Sequence, residues 1–173
     1  MNAIEIAKEV FEIESKEIRN LSNLLTEDFQ KAIDLILNSS GKLIISGMGK
    51  SGIIGKKIAA SLASTGTPSF FLHPGEAYHG DLGMVEKEDV VLLISNSGET
   101  DEVLKLIPYL RNQGNQTISM SKDPSSTLAK NTTYHLNIAV SQEACPLQLA
   151  PTSSTTTTLV MGDALVVALM KAR

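Results

Sequence analysis

Apolar residues recur at helical spacing over residues 3–25, at Ile6, Val10, Ile13, Leu21 and Leu24, with charged residues between them. That period predicts an amphipathic helix. Thr26 then reads as the N-cap of a second helix, with Glu27 and Asp28 in its first turn. Phe29, Ile33, Ile36 and Leu37 form its inner face, and Asn38-Ser39-Ser40-Gly41 ends it. Beyond residue 41 the pattern changes. Short continuous apolar runs at 42–46, 69–73, 90–95, 117–121 and 135–140 read as buried strands, and helical spacing returns at about 51–65, 99–113 and 125–130. Such strands alternating with helices predict an α/β fold, a three-layer αβα sandwich around a five-stranded, doubly wound parallel sheet. Its ligand should lie at the carboxyl ends of the strands, near a topological switch point.

The stretch 159–170 is apolar nearly all round. A surface helix keeps a polar face, so this one is predicted to be central or to lie at a subunit interface, and a homo-oligomer is expected.

At 173 residues the chain fits one domain, with helices in 1–40 preceding an α/β core in 42–173. Hydrophobic residues make up 42% and charged residues 20%, ordinary values for a soluble globular protein. The net charge of −4, with no basic cluster, argues against nucleic acid or an anionic membrane as partner. Any anionic ligand must be held by a local site. Cys145 is the only cysteine, which excludes an intramolecular disulfide and reads as a buried structural thiol. The opening Met1-Asn2-Ala3-Ile4-Glu5 has no apolar core of a signal peptide, and no run reaches the ~18 apolar residues of a membrane span. A cytoplasmic protein is expected.

Four segments carry candidate chemistry. The first strand runs into Gly47-Met48-Gly49-Lys50-Ser51-Gly52, a glycine turn opening a helix. Backbone N–H groups and the positive helix end suit an anion there. The turn fits G-x-G-x-x-G, but a dinucleotide site needs an acid at the end of the next strand, which instead ends Leu72-His73-Pro74. A P-loop is excluded because Ile44 stands where its first glycine belongs. The plain alternative is a tight turn with an incidental lysine.

The second segment is Ser95-Asn96-Ser97-Gly98-Glu99-Thr100-Asp101-Glu102, whose hydroxyls and amide converge on a helix start, a good phosphate cradle. Ordinary capping by Ser97 explains the same residues without function. The acids would repel a phosphate unless they point away. In the third, His79 lies among glycines and acids and suits acid–base work near neutral pH. Glu76, His79 and Asp81 match no standard ligand spacing, so no metal is expected, and no cofactor either. In the fourth, Pro151 followed by Thr152, Ser153, Ser154 and Thr155 reads as a helix start, either a polar pocket wall or a capped end without a ligand.

Taken together these segments resemble the sugar isomerase (SIS) domain, and more narrowly the arabinose 5-phosphate isomerase family. The likeness rests on GMGKSGIIGKKIAASLASTGTPSFFLHPGEAYHGDLGM (47–84), ISNSGETDE (94–102), EACPLQLAPTSSTTTTLVMGDAL (143–165) and ALMKAR (168–173), and covers nearly all of 20–173. It implies a flavodoxin- or Rossmann-type SIS fold and reversible isomerisation of D-ribulose 5-phosphate and D-arabinose 5-phosphate, in the route to the lipopolysaccharide sugar Kdo. It implies a tetramer, with the small sugar phosphate as partner. The family's catalytic lysine, histidine and glutamate correspond to Lys50, His79 and Glu102. Its phosphate site corresponds to Ser51, Ser95, Asn96, Ser97 and Thr100, with Gly49 and Thr152, Ser153 and Ser154 as further contacts.

Full-length members continue past ALxKAR into a histidine segment (S-H-P-G-G) and CBS modules, whereas this chain stops at Arg173 and neither His73 nor His135 matches that segment. A sugar-phosphate-binding module without catalysis is therefore the second reading. The two differ in whether Lys50, His79 and Glu102 face one cavity.

Overall fold

A computed structural model describes residues 2–173. Two N-terminal helices, α1 (Ala3–Leu24) and α2 (Glu27–Asn38), precede the sheet. Thr26 caps α2 as expected, its hydroxyl accepting from Asp28 N–H at 3.3 Å. The sheet comprises β1 (Leu43–Gly47), β2 (Ser69–Leu72), β3 (Val90–Ile94), β4 (Gln116–Ser121) and β5 (Tyr134–Asn137). All pairings are parallel, in the order β2-β1-β3-β4-β5. β1 and β3 lie in the middle and are buried on both faces, which is why they read as unbroken apolar runs.

Helix α3 (Gly49–Ser64) links β1 to β2, and α8 (Ser153–Ala172) follows β5. With α1 and α2 they cover one face through Leu43, Ile45, Leu92, Ile94, Met120 and Leu136. The other face, with Ile44, Val91 and Leu93, packs under α4 (Pro74–Ala77), a 3-10 turn (Asp81–Met84), α5 (Asp101–Leu104), α6 (Leu106–Gln113) and α7 (Thr127–Lys130). This is the three-layer, doubly wound arrangement the strand pattern predicts.

Three features differ from the sequence reading. The helix expected over 99–113 is two pieces broken at Lys105, because Pro108 has no N–H for the Leu104 carbonyl and its ring crowds that carbonyl. The short α4 and the 3-10 turn were not predicted, being too brief to show a period.

The third concerns α8: it is central, one of the two predicted positions, and the difference lies in its length and apolarity. It packs on α3 so closely that a Cβ at Gly162 would overlap Ile58, and Lys57 pairs with Asp163 across the same contact. Met161, Leu165 and Leu169 are buried in the core, while Val167 and Met170 are exposed. By length and composition, with a mean hydropathy of 1.3, α8 would suffice to cross a bilayer, contrary to the sequence reading. Half of that span is buried inside the fold, as a core helix would be.

Candidate active site

Two turns meet at the carboxyl end of the sheet. β1 ends at Gly47 and β3 at Ile94, and these two residues are register partners. β1 leads outward to β2, while β3 leads the other way to β4 and β5. The gap between their ends is therefore the switch point, where an open α/β sheet leaves a crevice.

The first turn is built on backbone proximity. Gly49 has φ +58°, which a side chain would strain. A Cβ on Gly52 would lie 2.5 Å from the Gly47 carbonyl oxygen and 3.3 Å from the Phe71 ring. The first turn of α3 thus lies hard against the strand it leaves. Met48 offers no side-chain cap, so the N–H groups of Gly49, Lys50 and Ser51 have no partner within the helix.

The second turn is a knot of hydroxyls. Ser95 Oγ lies 2.8 Å from Thr100 Oγ1 and 3.5 Å from Ser97 Oγ, and accepts from Gly98 N–H at 3.0 Å. Ser97 does not cap the helix as capping alone would require. Thr100 is the N-cap residue, its hydroxyl held by Ser95, and Ser97 Oγ accepts from Glu99 N–H at 3.1 Å. The turn is docked onto the one after β4. Lys122 N–H donates to Asn96 O, and Leu128 N–H to Gly98 O, both at 3.0 Å. Glu99 points away from the hydroxyls, its carboxylate accepting from Thr127 N–H at 2.7 Å. Those bonds to Thr127 hold its carboxyl below the ordinary range.

The third wall is the start of α8. Glu143 Oε2 accepts from Thr152 N–H at 2.7 Å, Thr152 Oγ1 at 3.0 Å and Ser154 N–H at 3.2 Å. A side-chain anion thus already occupies this helix end. Partial burial works to raise the Glu143 pKa, but the bonds from Ser154 and Thr152 outweigh it and hold the pKa low.

Lys50, Ser51, Asn96 and Ser154 share one cleft of about 210 Å³ with Met48, Ile54, Pro151, Thr155 and Thr158. Among the described residues Lys50 has no ion pair, and the Asn96 Oδ1 is buried without a partner. The cleft's lining thus brings a lysine, hydroxyls and an amide beside the uncapped first turn of α3, a set that suits an oxyanion beside a polar body.

Gly49 shapes the first turn, and Ser95, Ser97 and Thr100 form the knot beside the cleft without lining it. Thr152 is engaged by Glu143, and Ser153 is wholly buried with its hydroxyl unpartnered. Glu102 is half-buried on α5 and His79 is exposed on the turn after α4, and neither lines the cleft.

Thr155, read as part of a possible pocket wall, does line the cleft, whereas Thr158 was missed, though its four-residue spacing from Ser154 was a usable signal. The sequence reading also missed Glu143, an acid shortly before a hydroxyl-rich helix start. Cys145 is not the buried thiol expected: it is half-exposed in the loop between β5 and α8. The chain turns around it, with Gln148 at φ 55°. N–H groups of Ala150, Leu149 and Leu147 lower its pKa.

The SIS domain family matches residues 36–168. The arabinose 5-phosphate isomerase KdsD of Yersinia pestis is 58% identical over 166 residues, covering 96% of this chain and 51% of its own length. A probable arabinose 5-phosphate isomerase of Haemophilus influenzae is 55% identical over 173 residues, covering 100% and 51%. The chain thus spans about half the length of these relatives. Among solved structures, the Escherichia coli CFT073 protein c3406 in complex with arabinose 5-phosphate has a TM-score of 0.95 at 45% identity, covering 99% of this chain and 93% of that one. A putative sugar-phosphate isomerase of Listeria monocytogenes has a TM-score of 0.96 at 32% identity, covering 99% and 92%.

Proposed function

Because the chain belongs to the SIS domain family, we propose that it interconverts D-ribulose 5-phosphate and D-arabinose 5-phosphate through an enediolate. The observation that carries this reading is the cleft at the switch point, where Lys50 shares one volume with Ser51, Asn96 and Ser154. The names of the relatives and of the arabinose 5-phosphate complex support the choice of sugar.

The phosphate rests on the α3 N-terminus and on Ser51, Ser95, Asn96, Ser97 and Thr100, with Gly49 letting the backbone approach. Thr152, Ser153 and Ser154 wall the sugar side. In the forward direction a base takes one proton from C1 of the ketose, and negative charge develops on the C2 oxygen. The C1 hydroxyl then passes its proton to the C2 oxygen, the enediolate regains at C2 a proton in place of the one it lost from C1, and C1 becomes the aldehyde. Lys50 stabilises the developing oxyanion. Glu102, two residues past Thr100, is assigned as the base. His79 is assigned to ring opening and proton transfer between oxygens. Neither His79, on an exposed turn, nor Glu102, half-buried on α5, lines the cleft, so their parts require those segments, or their copies in another subunit, to close over the sugar.

The finer reading places the protein in the cytoplasm, where phosphorylated pentoses are made and used, and assigns its product to lipopolysaccharide sugar synthesis. It takes residues 1–173 as one SIS domain, supported by the packing of α1 on α8 and of α2 on β5. It also takes the assembly as a homotetramer, supported by exposed Ile4, Ile6 and Phe11 on α1. Incubation with D-ribulose 5-phosphate, followed by NMR, tests the activity. Signals of D-arabinose 5-phosphate are expected, and unchanged ketose or D-ribose 5-phosphate contradicts the reading.

A further inference from the structure

At the opposite end of the sheet from the cleft lies a second concavity, of about 340 Å³. Its floor is the chain entering β4, at Asn115, Gln116 and Thr117, and its walls are the ends of α6 and α7 with Arg111, Lys130 and Asn131. Although the chain carries 19 acids against 15 basic residues, among the described residues no carboxylate lines this groove and two cations do.

Cations at helix C-termini are commonly explained by the macrodipole and the free carbonyls there. Here other donors close the carbonyls of Leu110 and Arg111 on α6 and of Thr127 and Leu128 on α7. Gly114 N–H donates to Leu110 O and Arg111 O, both at 3.1 Å, and Asn115 N–H donates to Leu110 O at 3.0 Å. On α7, Asn131 N–H donates to Leu128 O at 3.1 Å, the Asn131 amide to Thr127 O at 2.8 Å, and Thr132 Oγ1 to Leu128 O at 3.2 Å.

Among the described residues neither cationic side chain bonds a helix-end carbonyl. Arg111 makes one hydrogen bond, from Nη2 to Asn131 Oδ1 at 2.9 Å, of the five donors a guanidinium carries. Lys130 makes no ion pair among the described residues, and Glu99 and Asp123 feel its charge without touching it. Gln116 has its oxygen taken by the Thr133 hydroxyl at 3.2 Å, which leaves its NH₂ to donate.

We propose that this groove is a second ligand site, separate from the cleft, that binds the oxyanion group of a small metabolite. A phosphate or carboxylate held between Arg111 and Lys130, with Gln116 donating a further bond, satisfies donors that nothing in the fold uses. A concave site concentrates that positive field despite the chain's net negative charge. The proposal stands apart from the activity assigned to the cleft.

Titration of the whole chain with inorganic phosphate, followed by ¹⁵N–¹H NMR, tests it, with citrate as a second arm. Amides at 114–117 and 131–133 should shift saturably, and the arm that saturates at lower concentration identifies phosphate or carboxylate chemistry. In Arg111→Gln/Lys130→Gln the groove affinity should fall about tenfold or more, while amides at 49–52 in the cleft respond as before. Groove amides that stay still in both arms, or that move equally in the double variant, overturn the proposal.

Discussion

Glu143 holds the first turn of α8 through Thr152, its Oε2 accepting both the Thr152 N–H at 2.7 Å and the Thr152 hydroxyl at 3.0 Å. A carboxylate from the preceding loop thereby does what an N-cap side chain usually does. Glu143→Gln should lower stability by about 1 kcal/mol, measured by urea unfolding at neutral pH. The Glu143 pKa is lowered on folding, so its contribution is full above the unfolded value near 4.5 and lost as pH falls through the lower folded value. The gap between wild type and variant should therefore be constant above about pH 5.5 and shrink in acid. A gap that grew on acidification would contradict the assignment.

Gly98 and Gly49 both have positive φ, +72° and +58°, but only Gly98 is crowded. A Cβ at Gly98 would overlap the Ser126 side chain, whereas nothing lies within 4 Å of one at Gly49. Gly98→Ala should cost roughly 2–4 kcal/mol, and Gly49→Ala about 1–2 kcal/mol from backbone strain alone. Equal losses in chemical unfolding would show that the docking of the β3 turn on the β4 turn is unimportant.

Glu99 and Glu102, two acids of the second turn, should separate by function. Glu99 is bound to Thr127 N–H, so Glu99→Gln should leave turnover near wild type. Glu102→Gln and Lys50→Ala should each lower kcat by ~10²–10⁴-fold with circular dichroism unchanged. Turnover near normal in the last two would remove both residues from the catalytic set.

Ser51 and Thr100 are assigned to the phosphate, which keeps its charge throughout the reaction. Their loss should weaken ground state and transition state alike. Ser51→Ala and Thr100→Ala should raise KM by roughly ten- to hundredfold with little change in kcat. A fall in kcat at constant KM would place these hydroxyls at the reacting carbons instead.

How much of this was legible beforehand follows from which forces act locally. The five strands and α3 are sequence-local apolar patterns, and the two glycine turns follow from strands meeting helices, so both were readable. The break at Lys105 was readable in principle from Pro108. The capping of α8 by Glu143 joins residues nine apart through a loop with no period, and the docking of Glu99 on Thr127 spans 28 residues. Neither is visible in a linear pattern. For the same reason the family resemblance could name Lys50, His79 and Glu102 as a set but not place them. The fold brings Lys50 to the cleft beside Ser51 and Asn96 and leaves the other two outside its lining.

The isomerisation proposed for the cleft moves a proton between C1 and C2, so running the reaction in deuterated water tests it at the reacting carbons. Ribulose 5-phosphate should give arabinose 5-phosphate carrying solvent deuterium at C2, seen as loss of the C2 proton signal, with Lys50→Ala forming it ~10²–10⁴-fold more slowly. No conversion by the wild type, or product that keeps a substrate-derived proton at C2 in every turnover, would contradict the account.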